Sequence, residues 1–143
     1  MKTRRKFIGK LGGLAALLTL SSNARTATSN VMIENETREL DGSFVHIVFF
    51  WLINDDQETK KLFLSELRKF IDNVDVIKTK YIGSVADTDR EVIDNSYSYC
   101  LTLSFDSKKQ HDIYQEHELH LKFIERASSL WDRVLVYDSV KVE

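Results

Sequence analysis

Within QHDIYQEHELH, the residues His111, Tyr114, His117 and His120 recur every third position and include three of the chain's four histidines. An imidazole titrates at about 6.5, so it can act as general base, general acid or metal ligand near neutrality. A tyrosine hydroxyl can donate a hydrogen bond to a developing enolate. His120 with Tyr114 therefore has the residue types for proton abstraction next to a carbonyl in an apolar pocket. A pocket that only holds a small apolar or aromatic ligand uses the same residues without proton transfer. Metal binding is a third chemistry. His117 and His120 lie near each other at i, i+3 on a helix, but no spacing here is as telling as His-Glu-x-x-His. The stretch reads as the polar edge of a pocket, with no dedicated metal cage and no cofactor. Structural roles compete with each of these: a solvated helix position for His111, and capping or packing for His117 and His120.

The elements that must hold these groups show in the periodicity. Phe44 to Ile53 is almost wholly apolar and rich in β-branched and aromatic residues, as in a strand buried on both faces. Alternation puts His46, Val48, Phe50 and Leu52 on one face and Val45, Ile47, Phe49 and Trp51 on the other. A histidine on so apolar a strand reads as a satisfied core residue or as a pocket ligand. Asn54-Asp55-Asp56 supplies cap chemistry for an amphipathic helix over 57–72. A second strand follows over 76–85, with Gly83 marking a bulge or a close approach. Tyr97 to Phe105 alternates as a third strand. A helical region runs from Asp106-Ser107 to about Trp131 with a break near Glu118, and a last strand covers 133–142. Asp138 in that strand would favour a protonated imidazole if it faced His46 or His120.

The order β-α-β-β-α-β is the ferredoxin-like split pattern, an α+β fold. Two helices cover one face of a four-stranded sheet, yet the first strand is apolar on both. A second copy of the chain is the simplest cover, which predicts a homodimer.

At 143 residues, with 43% hydrophobic and 29% charged residues, the chain has the size and composition of one domain. Its single cysteine, Cys100, excludes an internal disulfide and reads as a small buried hydrophobe. The start, MKTRRKFIGKLGGLAALLTLSS, joins a basic region to a ten-residue apolar run, too short to span a bilayer at about 20 residues. Arg4-Arg5-Lys6-Phe7-Ile8 resembles the twin-arginine export signal, which predicts passage through that machinery to the periplasm or beyond. Residues 1–27 are the expected signal, 28–43 a polar tether and 44–143 the folded domain. Removing the signal's six basic residues from the chain's 20 leaves 14 against 22 acidic ones, a net of −8. So acidic a body repels phosphate backbones, which argues against nucleic-acid binding.

Phe44-Val45-His46-Ile47-Val48, Gly83, Tyr97-x-Tyr99-x-Leu101-x-Leu103-x-Phe105, Tyr114-x-x-His117-x-x-His120 and Val134 to Asp138 together resemble the stress-responsive A/B barrel domain, over residues 44 to about 140. The resemblance implies a dimeric α+β barrel. A plant member is a polyketide cyclase acting on a linear tetraketide, with a tyrosine and a histidine as acid/base partners. The matching positions are Tyr114 and His120. The likeness further implies a pocket lined by His46, Val48 and Phe50, with Tyr99 where the cyclase has another histidine, and with His117 and Asp138 nearby. One motif departs: His117-Glu118-Leu119-His120 stands where the family has His-Pro-x-His, so the proline that would enforce a helix break is missing.

Overall fold

The computed structural model describes residues 39–142; the expected signal and most of the tether lie outside them. The elements are β1 (Phe44–Leu52), α1 (Gln57–Ile71), β2 (Thr79–Ser84), β3 (Tyr99–Phe105), α2 (Lys108–Glu116), α3 (Glu118–Ala127), a 3-10 turn and β4 (Trp131–Val140). One antiparallel sheet has the order β2-β3-β1-β4. β1 and β2 run in the same direction with β3 between them, which is the ferredoxin-like α+β fold expected from the element order. Among the described residues no helix is long and apolar enough to cross a membrane.

Local chemistry sets the ends of the helices. Asp56 accepts from the Thr59 amide at 2.8 Å and so starts α1. Ser107 caps α2 through the Gln110 amide. His117 leaves helical geometry, with φ −65° and ψ 135°, and its ring Nδ1 accepts from the Leu119 amide at 3.1 Å. The break therefore occurs without proline: an imidazole supplies the cap that satisfies one of the first amides of α3, that of Leu119.

All the helices lie on one face of the sheet. Phe63, Leu67 and Phe70 of α1, Tyr114 of α2 and Phe123 of α3 are buried with Phe44, Val48, Phe50, Leu101, Leu103 and Phe105 of the sheet. The opposite face carries Val45, Ile47, Phe49 and Trp51, each partly exposed, beside Tyr81 and Tyr137, which are 62% and 55% exposed. No helix among the described residues covers it, and Tyr97, just ahead of β3, packs edge-on to Phe49 at 4.9 Å. Cys100 lies on this face, half-buried rather than in the core, because its register partner is Phe49 and not a helix-facing residue. Gly83 marks a close approach, not a bulge, since its register with β3 is unbroken. A Cβ there would fall 2.7 Å from the Tyr81 ring and 2.9 Å from Cys100 Sγ.

Candidate functional site

A cavity of about 200 Å³ lies between the sheet and the helices. Val48, Phe50, Leu101, Phe70, Phe123, Trp131, Val134 and Val136 form apolar walls, and His46, Tyr114, Gln115 and His120 form a polar edge. The volume decides the size of guest. An apolar cavity of about 150 Å³ holds benzene, so this one suits a single ring with short substituents better than a linear tetraketide. A larger groove of about 820 Å³ follows α1, but it is open and lined mainly by polar groups such as Lys60, Lys61 and Arg68. Most known small-molecule sites are apolar with a few convergent polar groups, and the smaller cavity has that character.

The helix break brings Tyr114 and His120 together. Six residues apart on an unbroken helix, they would point roughly 120° apart. With the turn at His117 their rings stack at 4.8 Å, and Phe70 lies at 5.3 Å from His120 and 5.5 Å from Tyr114. His120 Nδ1 lies 2.9 Å from the backbone carbonyl of Gln115. A carbonyl only accepts, so Nδ1 carries the proton and Nε2 keeps its lone pair. Burial pulls the His120 pKa below its ordinary value, against the Gln115 carbonyl, which supports the charged form; His111 and His117 lower it further. His120 is thus a neutral imidazole with a free acceptor at pH 7. Burial pushes the Tyr114 hydroxyl far above the usual phenol range, helped by the charge of Asp138, so it keeps its proton and is available to donate to a guest.

Asp138 faces His46, its register partner across β1 and β4, and accepts from Nδ1 at 2.7 Å. The carboxylate favours the imidazolium, yet burial outweighs it and the His46 pKa is lowered on balance.

His111 overturns the expectation of a solvated helix position. It is 7% exposed, its ring stacks on Phe44 at 4.6 Å, and it lies 5.0 Å from the His46 ring. The i, i+3 relation to buried Tyr114 was the available signal, because residues three apart share a helix face. The polar neighbours Lys108, Lys109 and Asp112 obscured it.

The other expected site residues are dispersed. Val48 and Phe50 line the cavity with His46. Tyr99 instead lines the groove along α1 and stacks on Phe63 at 5.5 Å. His117 sits at the α2–α3 junction with its Nδ1 engaged in the cap. Asp138 is held beside the cavity through His46. Phe70, Phe123, Trp131, Val134 and Val136 also line the cavity; in the sequence Phe123 and Trp131 read as core side chains, and in the structure they serve both core and cavity wall.

The model of the Stress responsive A/B Barrel Domain matches residues 44–141. A Dabb-family protein of Mesorhizobium loti with a ferredoxin-like fold is similar at 20% identity, covering 71% of this chain and 99% of its own, with a TM-score of 0.60. A hydroxynitrile lyase from Passiflora edulis is similar at 15% identity, covering 71% of this chain and 95% of its own, with a TM-score of 0.59. A dimeric ferredoxin-like protein of unknown function from Thermobifida fusca is similar at 16% identity, covering 72% and 95%, with a TM-score of 0.56. At these identities the likeness establishes the fold alone. No curated protein matches the sequence significantly.

Proposed function

Because the chain belongs to the stress-responsive A/B barrel domain family, we propose that it is an exported, homodimeric small-molecule-binding protein that takes a compact apolar or aromatic guest between sheet and helices. The observation that carries this reading is the apolar cavity of about 200 Å³ with histidine and tyrosine at one edge. Trp131 lies in its wall, so a guest should change the tryptophan emission. In a Trp51→Phe background, titration with benzaldehyde is the direct measurement. Val136→Phe fills part of the cavity and should weaken binding by about tenfold or more, equivalent to ~1.4 kcal/mol. Equal affinity in both proteins would remove the cavity as the binding place.

The tautomer of His120 favours a second reading, acid/base catalysis on a small carbonyl compound. The free Nε2 acts as base and the Tyr114 hydroxyl donates to the oxygen that gains charge. A hydroxynitrile lyase among the proteins of this fold is consistent with a site for such chemistry.

The exposed aromatic and aliphatic sheet face supports a dimer formed by two such faces, as do dimeric proteins of this fold. The paired arginines Arg4 and Arg5 support twin-arginine export and a periplasmic location. Arg4→Lys with Arg5→Lys should leave the protein in the cytoplasmic fraction of cells whose parent protein is exported. Unchanged export of the double variant would rule out that route.

A further inference from the structure

We propose that His46, His111 and Asp138 form a binding site for a first-row divalent cation of the zinc type. One ligand atom from each of the three lies within 4.8 Å of the others. The residues come from three separate elements: β1, α2 and β4. Two imidazoles and one carboxylate suit zinc and its neighbours rather than magnesium or calcium, which prefer all-oxygen shells. This triad is distinct from the His117 and His120 pair, whose Nδ1 atoms are engaged by the Leu119 amide and the Gln115 carbonyl.

The surroundings of His111 point the same way. Its side chain is 9% exposed, yet Nδ1 has no hydrogen-bond partner; the Asp112 carboxylate lies 3.8 Å away, beyond hydrogen-bond reach. An unpaired buried nitrogen is costly, and such groups call for an explanation. A cation on one ring nitrogen requires a proton on the other, held by an acceptor. Gln115 lies 3.0 Å from His111 Nε2, and turning its amide over presents the oxygen as that acceptor. The ligand atoms must draw together from the present spacing, because zinc bonds to nitrogen and oxygen are about 2.0–2.2 Å long. β4 is the sheet's edge strand and Asp138 is 43% exposed on its side chain, so the carboxylate has room to move and the site has a path for entry. Three protein ligands leave a fourth position open, and His46 also borders the cavity. The inference does not depend on the cavity reading, since neither Tyr114 nor His120 is a ligand.

The test is zinc titration of the chelator-treated, full-length protein by calorimetry, with stoichiometry checked by metal analysis. One Zn²⁺ per chain is expected. His111→Gln and Asp138→Asn should each weaken binding by about 100-fold or more, beyond the 10–100-fold typical of an outer partner. His117→Gln and Tyr114→Phe should bind as the parent does. His111 is buried, so its variant is read together with Asp138→Asn, which alters a partly exposed side chain. Failure of the parent to take up zinc at micromolar concentration overturns the proposal. So does parent-like binding by Asp138→Asn, or loss of binding in His117→Gln. None of those results bears on benzaldehyde binding in the cavity.

Discussion

Phe49→Glu is expected to turn a dimer into a monomer, weakening self-association by about 1,000-fold or more, equivalent to ~4 kcal/mol. Phe49 sits in the middle of β1 on the sheet face that the helices leave bare. Its ring meets Tyr97 at 4.9 Å and Tyr137 at 6.4 Å, both edge-on, so it is the centre of an aromatic patch. A carboxylate placed in such an interface loses its water at a cost of several kcal/mol. Two-fold symmetry repeats that cost in each copy. Sedimentation velocity over a micromolar dilution series gives the measurement, and a thermal melt checks that the subunit still folds. Val92→Glu is the control, since Val92 is 87% exposed in a loop. A parent protein that sediments as a stable single subunit would end the dimer proposal. A Phe49→Glu protein that stays dimeric would move the interface elsewhere.

The second large effect concerns proton transfer. Should turnover of a small carbonyl compound be found, His120→Gln is expected to lower it by about 10²–10⁴-fold, the usual contribution of a positioned base. Tyr114→Phe should cost about 100-fold or more by removing the donor to the developing oxyanion. The pH profile distinguishes a base from a structural residue. His120 acts when neutral, and its pKa lies below the ordinary 6.5. The rate should therefore fall with acidification in a window below about pH 6.5 and be level at neutrality. That acid limb should vanish in His120→Gln. Its persistence would assign the titration to another group, with His46 first in line because burial lowers its pKa too. If both variants keep full turnover, the catalytic reading is lost while the binding reading stands.

Much of the fold was legible from the sequence because it depends on short-range period. The apolar, β-branched and aromatic run from Phe44 to Ile53 marked a strand, and the spacing of Leu62, Phe63, Leu67, Phe70 and Ile71 marked α1; both elements appear within a residue or two of expectation, although Leu62 is 49% exposed rather than packed inward. The spacing of β1, β2, β3 and β4 around two helical regions was enough to identify the α+β architecture. The site was legible only in part. Tyr114 and His120 were identified by residue type and motif, but their stacking depends on a backbone turn at His117 that an imidazole cap maintains in place of proline.

The sequence by itself determined the element order, the two-sided apolarity of β1 and the identity of the groups able to do chemistry. Each of these is written in neighbours a few residues apart, where sterics and side-chain period act directly. Only the tertiary structure decided that His46 meets Asp138, 92 residues away, and that His111 is buried against Phe44 rather than solvated. It likewise decided that a cavity opens beside His120 while Tyr99 faces another groove. Those outcomes follow from sheet register and from how the helices dock, and both are set by the packing of the whole domain rather than by any local pattern.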